Sequence, residues 1–214
     1  MEIKIIIALI FLITFNEFLA PKGKLASDGR PIFGGMSCIE LCTGLFSISD
    51  KIEVIPAHIW TPWFSVLGSK SGFDSIKECY GPFTDKIHAL ETGLSSDPEM
   101  NWRLSQLDRF TLVSNSDTHS FWPWRMGREC NVLDIEPNYN SLRNALKTQK
   151  GFEYTIEVDP SYGKYHFDGH RKCDVCFEPK ESLKNQDKCP KCGKALTIGV
   201  LHRVEELADR KEGV

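Results

Sequence analysis

The chain has 214 residues, 41% of them hydrophobic and 26% charged, with a formal net charge of −3. That is the composition of an ordinary globular protein, long enough for one medium domain plus a small module. It excludes a global polycation, but the charge is unevenly placed: residues 164–194 hold eight Lys/Arg against five Asp/Glu, behind an acidic body with fifteen against twenty. Such an asymmetry either permits a polyanion partner or marks a merely solvated surface.

Residues 5–15 form an eleven-residue apolar run behind Lys4. The run is too short to span a bilayer as a helix. It has the size of a signal-peptide core, yet no clear small-Xaa-small cleavage site follows. The favoured reading is a buried strand running into a helix around 15–19. Residues 22–33 hold Lys-Gly, Ser-Asp-Gly and Arg-Pro, which is loop chemistry. Cys38–Ile48 carries apolar residues near helical spacing, with Gly44 against it. Residues 52–55 read as a strand that stops at Pro56-Ala57-His58, and Trp60, Pro62, Trp63 and Phe64 crowd the loop beyond.

Asp74 can cap a short helix running to Tyr80. Residues 87–92 are another strand candidate. Asp97 and Pro98 start a helix as N-cap and first helical residue, with Trp102, Leu104 and Leu107 on its apolar side. Residues 110–113 read as a buried strand and 133–135 as a further short one. Residues 141–150 read as a helix, with Leu142, Ala145 and Leu146 on one face, and 154–158 alternate as a strand does. Strands near 52–55, 87–92 and 110–115, separated by helices, have the rhythm of a parallel α/β sheet or barrel.

Ser114-Asn115-Ser116-Asp117-Thr118-His119-Ser120 follows directly on the 110–113 strand. In parallel α/β architectures chemistry gathers at the C-terminal ends of strands. His58, Glu91 and the Asp117/His119 pair sit at or near three successive strand ends. Carboxylate oxygen and imidazole nitrogen together suit Zn²⁺, Mn²⁺ or Fe²⁺. Each residue also has a bland role: Asp117 as a cap, His58 as a hydrogen-bonded core histidine, Glu91 as the partner of an arginine. Arg125 and Arg128, beside Trp122, Pro123 and Trp124, either clamp a phosphate or pair with local carboxylates.

The strongest motif is Cys173-Xaa2-Cys176, twelve residues, then Cys189-Xaa2-Cys192. Each pair makes a tight turn that aims two sulfurs at one point, and Gly193 relieves the second. Four thiolates close a tetrahedral shell with no open position, so the spacing predicts a structural Cys₄ zinc ribbon that needs Zn²⁺ to fold. Lys172, Lys180, Lys184, Lys188, Lys191 and Lys194 either face phosphates or belong to a ribbon that only braces its neighbour. Residues 200–210 begin an amphipathic helix. Cys38, Cys42, Cys79 and Cys130 lack metal spacing and read as buried or idle thiols of a reducing cytosol, which implies a cytoplasmic protein.

Pro56-Ala57-His58, followed by Thr61-Pro62-Trp63-Phe64-Ser65, resembles the third metal motif of PHP-type (polymerase and histidinol phosphatase) hydrolases, and Ser116-Asp117-Xaa-His119 resembles their last. Leu90-Glu91-Thr92-Gly93-Leu94-Ser95, Met126-Gly127-Arg128-Glu129, Gly163-Lys164-Tyr165-His166 and the Cys₄ pattern are similar to one branch, endonuclease Q and its bacterial relatives. The resemblance runs from about Asn16 to Asp209. It implies a distorted (β/α)₇ barrel with two or three divalent metals (Zn²⁺, Mn²⁺ or Mg²⁺) whose activated water attacks a phosphodiester. It implies nicking of DNA on the 5′ side of deaminated bases, uracil or hypoxanthine, and of abasic sites, with the base read flipped from the stack. By position it makes His58, Asp117 and His119 metal ligands and catalytic residues, with Glu91 a further ligand. Arg125, Arg128, Lys172, Lys188 and Lys191 become candidates for DNA contact. The partners it implies are damaged DNA and replication or repair proteins, with no membrane.

Such domains open with His-Xaa-His on their first strand, and here no histidine precedes His58. The expected protein is therefore an internal piece, truncated at both ends. It comprises part of a PHP phosphoesterase barrel over 1–160, a zinc ribbon over 161–200, and the start of a helical region over 201–214. Its first fifteen residues fit a diverged barrel strand. The chain alone is expected to cleave little or nothing; the rival reading is a zinc-ribbon protein that binds DNA or a helicase without cutting. Some relatives carry names borrowed from helicases, but there is no Gly-Xaa4-Gly-Lys-Ser/Thr loop to hold a nucleoside triphosphate.

Overall fold

The computed structural model describes residues 13–25, 33, 35–70 and 72–213. Residues 13–19 are helical, where a helix is expected; the strand expected before them falls outside the described residues, as does most of the 22–33 loop. Helix α1, Cys38–Ile48, starts because Ser37 Oγ accepts from Glu40 N. Gly44 in its interior has a packing reason: the ring of Phe18 occupies the space a Cβ would need. The cap of α2, Ile76–Tyr80, is Ser75 rather than Asp74. Ser75 Oγ accepts from Glu78 N at 3.1 Å while Glu78 Oε2 accepts from Asp74 N at 2.9 Å. The Asp74 carboxylate is taken instead by Arg203, 2.5 Å away.

Strands β1 (Ala89–Glu91) and β2 (Thr111–Val113) pair in parallel, with Ala89 opposite Thr111 and Glu91 opposite Val113. The chain crosses between them through α3, Pro98–Trp102, whose N-cap Asp97 accepts from Met100 N at 2.8 Å. Leu104 and Leu107 are buried as expected, but Trp102 is half exposed. The helix stops at Trp102, and one 3₁₀ turn at Ser105–Leu107 redirects the chain. Residues 52–55, expected as a third strand, form no ladder. The segment leading out of them gives and takes only two backbone bonds beside β1, Glu91 N to Pro56 O and Ile59 N to Glu91 O.

Strands β3 (Cys130–Leu133) and β4 (Phe152–Ile156) pair antiparallel around α4, Tyr139–Thr148. Both start earlier in the chain than the alternation suggests. Strands β5 (Asp168–His170) and β6 (Val175–Phe177) form a second antiparallel pair in the ribbon, followed by helices α5 (Pro179–Lys184) and α6 (Val200–Leu207). The fold is therefore mixed α/β. Among the described residues its sheets are three separate two-stranded pairs, and no barrel closes. A parallel barrel needs every strand paired on both edges; here the 52–55 segment leaves β1 without a second ladder.

One core holds the body together. Trp60, Leu67, Ile76, Leu90 and Leu104 pack in it with Val200 and Val204 of α6. Trp60 Nε1 donates to Asn101 Oδ1 at 2.8 Å, and Asn101 in turn donates to Asp97 O at 2.7 Å, so both buried polar groups are satisfied. Of the four unpatterned cysteines, Cys42 and Cys79 are buried and Cys38 and Cys130 partly so. No helix among the described residues is long and apolar enough to cross a membrane.

Candidate functional site

Two groups of side chains carry metal-type chemistry. In the ribbon, ligand atoms of His170, Cys173, Cys189 and Cys192 all lie within 4.8 Å of one another. His170 Nδ1 stands 3.6 Å from Cys192 Sγ. Three thiolates and an imidazole suit Zn²⁺ and leave no open position. Cys176, expected as the fourth ligand, is exposed and outside this group. The reason is local. Cys189 and Cys192 sit in a tight turn, closed by Gly193 N to Cys189 O at 2.7 Å and by Gly193 in the left-handed region at φ +72°. The first pair does not share that geometry, because β6 has already begun at Val175. Strand alternation then buries Val175 and turns Cys176 to the opposite face. His170, paired across the strands with Val175, stands where a fourth donor would. Pairing by Cys-Xaa2-Cys spacing overlooks His170; the signal for it is a histidine three residues before the first cysteine.

The second group lies at the ends of β1 and β2. Glu91 is buried, with both oxygens engaged: His58 N donates to Oε2 at 2.7 Å and Asn115 Nδ2 to Oε1 at 2.7 Å. Thr61 Oγ1 lies 3.1 Å from His58 Nδ1 and donates to Trp63 O at 2.9 Å, so the Nδ1 side of the ring is held within the Trp63 loop. His119 is arranged alike, with Nδ1 donating to Asp117 O at 2.8 Å. His58 and Asp117 both hold left-handed backbones, φ +34° and +44°, uncommon for residues other than glycine. Gly93, at φ +73°, faces His58 so closely that a Cβ would lie 2.8 Å from His58 Cβ.

The donor set, imidazole nitrogen and carboxylate oxygen, fits a divalent cation. The four residues nonetheless do not converge as the ribbon ligands do: among the described residues, the ribbon group is the one set of three or more such atoms. Asp117 and His119 are exposed, 3.7 Å apart, while Glu91 is turned to the His58 backbone and Asn115.

A polar layer supports this end of the molecule. Asn131 holds both sides of Ser114, accepting from its N at 2.8 Å and donating to its O at 2.9 Å. Ser114 Oγ donates to buried Glu129 at 2.6 Å. Burial pushes the Glu129 carboxyl up. Neighbouring Glu157 is raised to about 7, first by burial and then by the Glu129 and Asp97 charges. Neither glutamate stands out in the sequence, since nothing local marks a carboxylate for burial.

The expected DNA contacts divide. Arg128 turns inward, Nη2 donating to Ser116 O at 2.8 Å, whereas Arg125 is exposed. Arg125 stands beside a row of stacked rings: Phe121 on Trp122 at 5.2 Å and Trp122 on Trp124 at 4.9 Å. Lys172, Lys188 and Lys191 are exposed, although Lys191 Nζ also donates to Cys173 O at 2.8 Å.

No protein-family model matches the chain. Over 160 residues it is 40% identical to the uncharacterized protein MJ0043 of Methanocaldococcus jannaschii, covering 72% of this chain and 20% of that protein. It is 37% identical to the uncharacterized protein YqxK of Bacillus subtilis, covering 79% and 43%. The crystal structure of the lesion-specific endonuclease PfuEndoQ from Pyrococcus furiosus superposes with a TM-score of 0.79 at 32% identity, covering 95% of this chain and 50% of that one. Endonuclease Q in complex with a 27-mer duplex substrate bearing an abasic lesion at the active site gives the same score and identity, covering 92% and 49%. The chain thus spans half or less of each of these proteins.

Proposed function

We propose, on its likeness to endonuclease Q, that this chain has a metal-dependent DNA endonuclease activity of that type, nicking 5′ of uracil, hypoxanthine or abasic sites. The likeness to a lesion-specific endonuclease over nearly the whole chain carries this reading. His58, Asp117 and His119 are its proposed metal ligands and catalytic residues, with Glu91 as the group that holds the His58 backbone in place. A divalent metal bound there would supply an activated water for attack on the phosphodiester. His119 would present Nε2, its Nδ1 donating to Asp117 O, and His58 would do the same with Nδ1 engaged by Thr61. Arg125, Lys172 and Lys188 would meet the phosphate backbone. The ribbon would hold a structural Zn²⁺ through His170, Cys173, Cys189 and Cys192.

The test is nicking of a duplex carrying one deoxyuridine or deoxyinosine, with Mg²⁺, Mn²⁺ or Zn²⁺ added. Asp117→Asn is expected to lower the rate by about 100-fold or more while DNA binding persists. Nicking untouched by Asp117→Asn would remove the strand-end site from the proposal. A second reading, DNA binding without cleavage, is favoured by one observation: among the described residues the strand-end donors do not converge. Retained DNA binding with no metal-dependent nicking supports that reading.

A further inference from the structure

Three of the four cysteines outside the ribbon gather in one place. Cys38 and Cys42 lie one turn apart on the same side of α1, and Cys79 comes from α2. Cys42 and Cys79 belong to the main core, 0% and 4% exposed, beside Tyr80 at 5%, and Cys38 packs against that core from its rim. The two helices meet closely here: a Cβ on Gly81, just past α2, would lie 2.9 Å from Ile39 Cδ1. Buried thiols are ordinarily inert. Cys38 departs from that in three ways. It is the first residue of α1, behind the Ser37 N-cap, where free backbone N–H groups and the helix dipole favour a thiolate. It is only partly buried, so a small solute reaches it. Its sulfur also accepts hydrogen bonds from the Cys79 thiol and the Tyr80 hydroxyl, which outweigh the cost of burial and hold its pKa well below the ordinary thiol range. Cys79, the donor in that pair and buried, is pushed the other way, and burial raises Cys42 to about 11.

A nucleophilic thiolate at the rim with a protonated thiol behind it has the arrangement of an attacking and a resolving cysteine. We propose that Cys38 and Cys79 form a peroxide-sensitive dithiol that closes into a disulfide between α1 and α2. The Cys38 thiolate attacks one oxygen of hydrogen peroxide. The O–O bond breaks, Cys38 becomes a sulfenic acid, and the hydroxide released takes up a proton as water. The Cys79 sulfur then attacks the Cys38 sulfur. The S–O bond breaks, and the Cys79 proton leaves with the hydroxyl as a second water. The two thiols together give up two electrons, and the peroxide is reduced to two waters. Cys79 rather than Cys42 resolves, because its thiol is the one in hydrogen-bond contact with Cys38. In a reducing compartment such a bond is transient and responds to oxidant. This site does not depend on the DNA reading.

The experiment treats the zinc-loaded full chain with hydrogen peroxide, blocks the remaining thiols with iodoacetamide, and maps the unreduced peptides by mass spectrometry. A cross-linked pair of peptides holding Cys38 and Cys79 is expected, two hydrogens lighter than the separate peptides and parted again by dithiothreitol. In Cys79→Ser the sulfenic acid should persist at Cys38, where dimedone traps it. On the unsubstituted chain before oxidation, at pH 7, iodoacetamide should label Cys38 about 10-fold faster than the likewise partly buried Cys130, a measurement that needs no variant to fold. A disulfide from Cys38 to Cys42 overturns the pairing. Oxidation confined to Cys130, Cys176 or the ribbon donors, or labelling of Cys38 no faster than of Cys130, overturns the proposal.

Discussion

His170, rather than Cys176, stands within reach of the other three possible donors, for a reason that operates residue by residue. A cysteine becomes a ligand only if its turn aims the sulfur inward, and Cys176 lies on a strand face turned away from the other three donors. The expected result is one zinc per chain, retained in Cys176→Ser and lost in His170→Ala and Cys173→Ser, read by metal analysis of the purified variants. Glu157 acts at the same scale through its charge. Its folded-state carboxyl is raised to about 7 from an ordinary value near 4.5, so the folded chain holds a proton that the unfolded chain has released. Stability therefore falls as pH rises from about 4.5 to about 7 and stays lowered above that range. Glu157→Gln should flatten that slope. Thermal melts at pH 5 and pH 8 would show it, the variant gaining most at pH 8.

At the scale of the element, the chemistry hangs on the turns that leave β1 and β2. Gly93 lets the chain pass against His58, and a side chain there meets both a left-handed backbone and the His58 Cβ. Gly93→Ala is expected to cost about 2 kcal/mol in denaturant unfolding and to displace the His58 ring. Helix α3 is held differently. Asn101 is fully buried and is the acceptor for Trp60 Nε1, so Asn101→Ala leaves an indole N–H without its partner inside the core. The expected loss is about 2–3 kcal/mol. An unchanged unfolding midpoint would show that water reaches the indole.

The whole molecule is coupled by its last helix. Val200 and Val204 of α6 are 0% exposed in the same core as Trp60 and Leu67. Arg203 on that helix donates to Leu67 O and Phe73 O, both at 3.0 Å. Ser69 Oγ donates to Ile198 O at 2.8 Å, and Val200 N to Tyr165 O at 2.8 Å. Ribbon and body should therefore unfold together: loss of Trp fluorescence and release of ribbon zinc are expected to coincide in one transition. Val204→Ala should lower that transition by about 2 kcal/mol without splitting it. Two separate transitions would show that α6 does not transmit the coupling.

Much of this was legible in residue order alone, because it depends on neighbours in the chain. The helical spacing over Cys38–Ile48, Asp97-Pro98, and the short apolar runs at 87–92 and 110–113 are local signals, and the structure follows them with a helix at Cys38–Ile48, a helix at Pro98–Trp102 and strands at Ala89–Glu91 and Thr111–Val113. So is the thiol spacing that marks a ribbon, and so is the run of motifs from Pro56-Ala57-His58 to Ser116-Asp117-Xaa-His119 that resembles endonuclease Q. Tertiary structure decided what depends on partners distant in sequence. Residues 52–55 have strand-like side chains, but a strand exists only if a neighbour completes its ladder. Glu91 was turned to a backbone N–H thirty-three residues away, Glu129 was buried and Glu157 half-buried at the ends of the β3–β4 pair, and strand register rather than spacing brought His170 beside three cysteines. Composition cannot state which face of a strand a sulfur will take; the pairing that fixes that face forms only when the chain folds.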